Sequence, residues 1–158
     1  MEAIVAVYTD WGIGSEGTQP IVIPEDRHHF AEVTRGATLI VGSKTLLDFP
    51  GSQPLKGRRN IVMTRHESEI PGAEIVHTPE QAMALCKDDD KVFVVGGATV
   101  YMAMFPYLDT IYVTKIDATP SSDAYFPNLD SLPDWEQESC EPFTSNGISC
   151  EFCVYKKK

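Results

Sequence analysis

The feature that most constrains this chain is the stretch Val92-Phe93-Val94-Val95-Gly96-Gly97-Ala98-Thr99-Val100-Tyr101. An apolar run bounded by charges ends on two glycines, and an amphipathic run begins at once. The Val- and Phe-rich part predicts a buried strand, and residues 98–105 predict a helix. Paired glycines at such a junction let a ligand approach the main chain without meeting a Cβ. The N–H groups at the helix start then favour an anion, typically a phosphate. This is a site for a phosphorylated small molecule. The same glycines would also serve a plain reversal of the chain.

A second junction of this kind follows Thr38-Leu39-Ile40-Val41-Gly42, where Ser43 is expected to cap a short helix to residue 48. Further strands are predicted at residues 3–8, 60–64, 74–76 and 110–116. A helix is predicted from Pro24-Glu25-Asp26 to about Gly36, with Pro and two acids in its first turn. Another runs from Thr78-Pro79-Glu80-Gln81 to about Cys86, with Thr78 as cap and Gln81 in the capping-box position. Residues 9–23 are Gly-rich without helical period and read as a functional loop. The tail from 135 to 155, with Asn146-Gly147 inside it, reads as a hairpin. Alternating helices and strands predict an α/β fold: one domain, a central mostly parallel sheet, flanking helices and an antiparallel C-terminal hairpin. Two motif lookalikes fail. Gly42-Ser43-Lys44-Thr45 lacks the earlier glycine of a Walker A loop, since position 37 is Ala37. Gly96-Gly97-Ala98 lacks the second glycine of the Rossmann fingerprint. One dinucleotide bridging both junctions would explain the pair.

Charge supports a small anionic ligand. The 158 residues carry a formal net charge of -10, which argues against nucleic acid. Yet positions 27 to 66 hold Arg27, Arg35, Lys44, Lys56, Arg58, Arg59 and Arg65 against only Glu32 and Asp48. A local basic segment in an acidic protein suits a polyanion; a merely solvated basic face is the plainer alternative. No apolar run reaches membrane-span length, and the first residues lack the basic region of a signal peptide. Cys150 and Cys153 have C-x-x-C spacing but lie in a predicted strand, where residues three apart face opposite sides. The four cysteines are therefore expected to be reduced, as in a cytosolic protein.

Taken together, the motifs resemble dihydrofolate reductase nearly end to end. The resemblance rests on Ile13-Gly14, Ile23-Pro24-Glu25-Asp26 with Phe30, and Val41-Gly42-Ser43-Lys44-Thr45. It continues through Pro54-Leu55-Lys56-Gly57-Arg58-Arg59-Asn60-Ile61-Val62, Met63-Thr64-Arg65, the Gly-Gly segment with Tyr101, Thr114-Lys115-Ile116-Asp117 and Phe126-Pro127. It implies a dihydrofolate reductase-like domain over residues 1–158 that uses NADPH to reduce 7,8-dihydrofolate to tetrahydrofolate. The expected partners are dihydrofolate and antifolate-like molecules, with no nucleic acid, membrane or metal, in a cytoplasmic monomer.

The residue assignments follow from the same resemblance. Asp26 would bond the pterin and support protonation at N5 while hydride reaches C6, and Thr114 would share its bond network. Val5, Ala6, Phe30, Phe49, Leu55, Val95 and Tyr101 would line the substrate pocket. Arg58 would pair with the glutamate α-carboxylate, a task suited to a planar donor, with Arg27 nearby as a further cation or a solvent-facing one. For the cofactor, Gly96, Gly97, Ala98, Thr99, Val100 and Tyr101 would cradle pyrophosphate and nicotinamide. Lys44 and Thr45 would meet phosphates, Thr64 and Arg65 would hold the 2′-phosphate, and Gly42, Ser43, Met63 and His77 would also bind the cofactor. Ala6, Ile13, Gly14 and Gln19 would contact nicotinamide, with residues 14–19 in a loop that closes over it. Two departures stand out. The family usually has a tryptophan where Ile21 follows Pro20, and commonly a basic residue where Ser43 stands. Glu25 is expected to face solvent, as are His28 and His29. A riboflavin-type pyrimidine reductase and a non-catalytic NADPH-binding relative are the alternative readings.

Overall fold

The computed structural model describes residues 1–15, 19–66 and 69–158. Its strands are β1 (Glu2–Tyr8), β2 (Gly12–Gly14), β3 (Thr38–Gly42), β4 (Arg59–Met63), β5 (Ala73–Val76), β6 (Val92–Gly96), β7 (Thr110–Ile116), β8 (Ala124–Tyr125), β9 (Trp135–Ser145) and β10 (Ile148–Lys157). The helices are α1 (Pro24–Val33), α2 (Ser43–Leu47), α3 (Pro79–Leu85) and α4 (Ala98–Met104). Eight strands form one sheet in the order β5-β4-β3-β6-β1-β7-β10-β9. All pairings from β5 to β7 are parallel, and the last two, β7 with β10 and β10 with β9, are antiparallel.

The apolar runs of β3 and β6 are continuous because both faces of the sheet centre are covered. Ile40 and Val94 join one apolar cluster, while Leu39, Val41, Phe93 and Val95 join another with Phe30 and Val33 of α1. At the far end, the hairpin turns on Asn146 and Gly147, with φ of 49° and 80°, the left-handed pair that a two-residue turn needs. The Thr78 cap is present: its Oγ1 accepts the Gln81 N–H at 3.1 Å. Gln81 Oε1 reaches back one residue further than a capping box requires, to the His77 N–H at 2.7 Å.

Three expectations need correction. First, the loop at 9–23 contains β2, paired with β8 in a separate two-stranded sheet. Asp10 Oδ1 accepts the Gly12 N–H at 3.0 Å and Trp11 takes a φ of 64°; a glycine-rich strand of three residues has no alternation to reveal it. Second, Gly42 rather than Ser43 is the cap of α2, and Ser43 is already helical. Third, the cysteines are not all reduced. Cys140 lies opposite Cys153 in the β9–β10 register, and the two form a disulfide. Cys86 and Cys150 are free and buried.

Candidate active site

The two glycine junctions meet. Val41 pairs with Gly96 across the β3–β6 ladder, so the ends of both strands lie side by side. A Cβ built on Gly42 would sit 3.1 Å from Val100 Cγ2 and 3.5 Å from the Gly97 nitrogen. One built on Gly97 would sit 2.9 Å from Thr45 Oγ1, and Gly96 has a φ of 120°. The Gly96–Gly97 peptide is cis. Side chains at these positions would fill the groove between α2 and α4, and glycine keeps it open.

This groove opens into a cleft of about 240 Å³. Val5, Ala6, Ile13, Gly14, Gln19, Asp26, Phe30, Thr45, Phe49, Val95, Gly96, Gly97, Ala98 and Tyr101 line it, together with Ile4, Asp48, Asp123 and Ala124. The last four were not foreseen. Asp123 and Ala124 arrive through the β2–β8 pairing, which leaves no periodic signal in the sequence. Ile4 follows from the partner of Tyr101, whose buried hydroxyl donates to the Ile4 carbonyl at 2.6 Å.

Asp26 is the chemically distinctive group. Pro24 starts α1, and the Ile23 carbonyl accepts the Asp26 N–H at 3.0 Å, which sets the first turn against the sheet. Thr114, 1% exposed on β7, donates its hydroxyl to Asp26 Oδ1 at 2.5 Å. Thr114 is brought there by its register with Ala6 on β1 and Phe152 on β10. Burial pushes the Asp26 carboxyl above the usual carboxylate range; the Thr114 bond and the charge of nearby His29 oppose that shift. The group is therefore a half-buried acid held in one orientation, with access to the cleft.

The remaining expected residues surround this centre. Arg58 donates to Thr34 Oγ1 at 3.1 Å, to the Lys56 carbonyl at 2.8 Å and to the Ala31 carbonyl at 2.9 Å, which fixes its guanidinium beside α1. Leu55 packs on the cluster that holds Phe30 and Phe49. Arg27 is exposed on α1. At the carboxyl ends of β3 and β4, Lys44 and Arg65 are exposed while Met63 and Thr64 are sheltered. His77 Nδ1 lies 2.8 Å from the Thr64 carbonyl. Val100 is 5% exposed and belongs to the core, and Thr99 is exposed. Residues 16–18 of the expected mobile loop lie outside the described residues.

Two cations of the basic segment are spent elsewhere. Arg35 pairs with Glu32, and Arg59 grips Glu74 and Asp89 at the opposite end of β4. Glu25 is exposed as expected, yet its Oε1 accepts the Ser145 hydroxyl at 2.8 Å. His29 is not solvent-facing: its ring stacks on Phe152 with centroids 4.1 Å apart. A wider cleft of about 650 Å³ is lined by Trp11, Lys115 and the neighbouring ends of β1, β7 and β10. It has no glycine groove, and its lysine is held near Asp130 at 3.3 Å and Gln137 at 3.4 Å. The smaller cleft is the one equipped for chemistry.

Comparison with known proteins agrees. A family model described as Dihydrofolate reductase matches residues 1–157. Dihydrofolate reductase of Bacillus subtilis (strain 168) is 35% identical over 150 residues, covering 92% of this chain and 88% of that protein. The Neisseria gonorrhoeae dihydrofolate reductase is 36% identical over 148 residues, covering 92% and 91%. Among solved structures, dihydrofolate reductase from Enterococcus faecalis, complexed with NADP(H) and RAB-propyl, superposes with a TM-score of 0.90. It shares 30% sequence identity and covers 99% of this chain and 95% of that one.

Proposed function

The chain belongs to the dihydrofolate reductase family, NADPH-dependent oxidoreductases that convert 7,8-dihydrofolate to tetrahydrofolate, and from that premise we propose which of its side chains do the work. The observation that carries the assignment is the Asp26–Thr114 pair inside the cleft beside the glycine groove. A carboxylate there accepts the paired donors of the pterin 2-amino and N3 groups. Burial shifts its pKa upward, towards the range in which an acid assists a proton transfer to N5. Thr114 fixes the orientation of the carboxyl, and Phe30, Phe49 and Leu55 exclude water from the rest of the substrate. The Arg58 guanidinium, held by three bonds, is ready for the glutamate α-carboxylate.

The cofactor fits what this chain offers. The groove of Gly42, Gly96 and Gly97 is one that a Cβ would fill, as close approach of a pyrophosphate requires. Lys44, Thr64, Arg65 and His77 would hold the 2′-phosphate end, where charge-assisted bonds give the preference for NADPH over NADH. Bound along the groove, NADPH supplies the hydride. Gln19, Ile13 and Gly14, which line the cleft, would contact its nicotinamide.

We further propose that residues 1–158 act as one domain and as a monomer without nucleic-acid or membrane partners, in the cytoplasm like the family's other members although the Cys140–Cys153 disulfide is uncommon there. The formal charge of -10 opposes nucleic acid, and no helix among the described residues is long and apolar enough to cross a membrane. Nothing in the relatives favours pyrimidine reduction or loss of catalysis. The test is loss of NADPH absorbance on adding dihydrofolate, with a ribosylated pyrimidine as control. Oxidation of NADPH with the pyrimidine alone, or with neither, overturns the reading.

A further inference from the structure

Tyr8 ends β1 directly behind the segment that joins the cleft to α1. Its side chain is 1% exposed and packs with Ala6, Ile23, Ile116 and Cys150, with Ile21 against the same cluster. A phenol in such surroundings needs a partner for its hydroxyl. Both partners are main-chain groups of one residue. The Ile21 N–H donates to Tyr8 Oη at 3.2 Å, and Tyr8 Oη donates to the Ile21 carbonyl at 3.4 Å. Among the described residues, no other side chain bonds to the main chain of residues 19–22.

The position of that clamp matters. On one side of Ile21, Gln19 lines the cleft. On the other, the Ile23 carbonyl accepts the N–H of Asp26 at 3.0 Å and of Arg27 at 3.2 Å. The segment therefore ties the cleft lining at Gln19 to the helix turn that carries the acid, and it has no ladder of its own. We infer that Tyr8 is a positioning residue for the reaction: its hydroxyl pins the main chain at Ile21 and so places Gln19 over the cleft and Asp26 within it. Tyr8 does not line the cleft and touches no substrate; it acts through the segment. Burial also raises the phenol pKa, so the hydroxyl stays a donor across the working range.

This inference rests on the dihydrofolate reductase reading, and Tyr8→Phe separates the two. The variant keeps the ring and removes only the hydroxyl. Amide hydrogen exchange at Ile21 is expected to quicken about tenfold while β1 and β7 keep their protection. In the same protein kcat for dihydrofolate is expected to fall about tenfold, with a smaller change in the Kd for NADPH, because the glycine groove and the phosphate contacts are untouched. Wild-type exchange at Ile21 together with wild-type kcat overturns the inference. So does a loss of protection spread evenly over β1 and β7, because the hydroxyl then serves the whole core. The exchange experiment needs no turnover. A wild-type protein that fails to reduce dihydrofolate overturns the functional reading and leaves the clamp at Ile21 to be judged on exchange alone.

Discussion

Asp26→Asn separates the catalytic role of this acid from its structural one, because the two have opposite signs. The substitution preserves volume, and the asparagine carbonyl still accepts the Thr114 hydroxyl that now reaches Asp26 Oδ1 at 2.5 Å. What is lost is the ionisable group. Acid–base assistance is worth about 10²–10⁴-fold, or about 3–5 kcal/mol at 1.36 kcal/mol per decade. Turnover at pH 7 should therefore fall by a factor in that range. It should recover about tenfold per pH unit on acidification, as solvent protonates N5 ahead of the hydride. Stability should move the other way. The folded pKa of Asp26 is raised above its unfolded value by burial. Its contribution to stability is thus present below the ordinary carboxylate pKa and lost as pH rises through the folded value. Removing the charge should raise the thermal midpoint at pH 7 and leave it unchanged near pH 3. The assays are stopped-flow NADPH oxidation from pH 5 to 9 and calorimetry at both pH values. Wild-type turnover across that range, or a lower midpoint at pH 7, refutes the reasoning. Glu25→Gln is the control: its amide oxygen keeps the Ser145 bond, and activity should match wild type.

Changing Lys44 and Arg65 together to Ala should raise KM for NADPH at least tenfold and leave that for NADH nearly unchanged, since charge-assisted bonds are worth roughly 1.5–3 kcal/mol each; equal losses for both cofactors would show that neither cation reads the 2′-phosphate. Reducing the Cys140–Cys153 bridge, which spans 13 residues, should cost about 3 kcal/mol by chain entropy. That corresponds to a fall of roughly 6–12 °C in Tm, measured by unfolding with and without a dithiol, and no change would mean that the hairpin holds its register unaided. Arg59→Ala should destabilise the protein at neutral pH but not in acid. Arg59 holds Glu74 below its ordinary carboxyl pKa, and the Thr38 hydroxyl followed by Arg59 does the same for Asp89; the Arg59 share of that stability is present above the unfolded pKa and lost as pH falls through the folded one. Denaturant titrations at pH 7 and pH 3 check it, and a gap that persists at pH 3 would point to packing.

Elements with unbroken local pattern were legible in the sequence. β3 and β6 are buried on both faces, so their apolar runs survive without context; β7 keeps a strand-like alternation, and Pro24 and Thr78 mark helix starts that hold in the structure. The cleft residues were legible through motif order rather than periodicity, because Asp26 on α1 meets Thr114 on β7, and Gly96 meets Val41, only once the chain is folded. What escaped depends on pairings between distant or very short segments. β2 and β8 are too short and glycine-rich to alternate. The Tyr8 hydroxyl finds the Ile21 main chain across a bend. His29 was read from its polarity, and the hairpin that brings Phe152 over it is remote in sequence. The disulfide did leave a signal. Asn146-Gly147 demands a two-residue turn, and counting outward equally from it brings Cys140 opposite Cys153.

The place of β1 in the sheet has a consequence for synthesis. Glu2 pairs with Phe93 on one side and Thr110 on the other, so β1 leaves the ribosome long before either of its neighbours. At roughly 5–20 residues per second, β1 waits about 5–20 s for its first partner. During that wait Ala3, Ile4, Val5 and Val7 are an unpaired apolar edge, the kind of segment that chaperones bind and aggregates recruit. A translational pause before residue 92 lengthens the exposure, and a pause once residues through 116 have cleared the ribosome does not, because the strand can by then be flanked on both sides. Codon choice in the middle of the gene would therefore govern the yield of folded enzyme more than codon choice at either end.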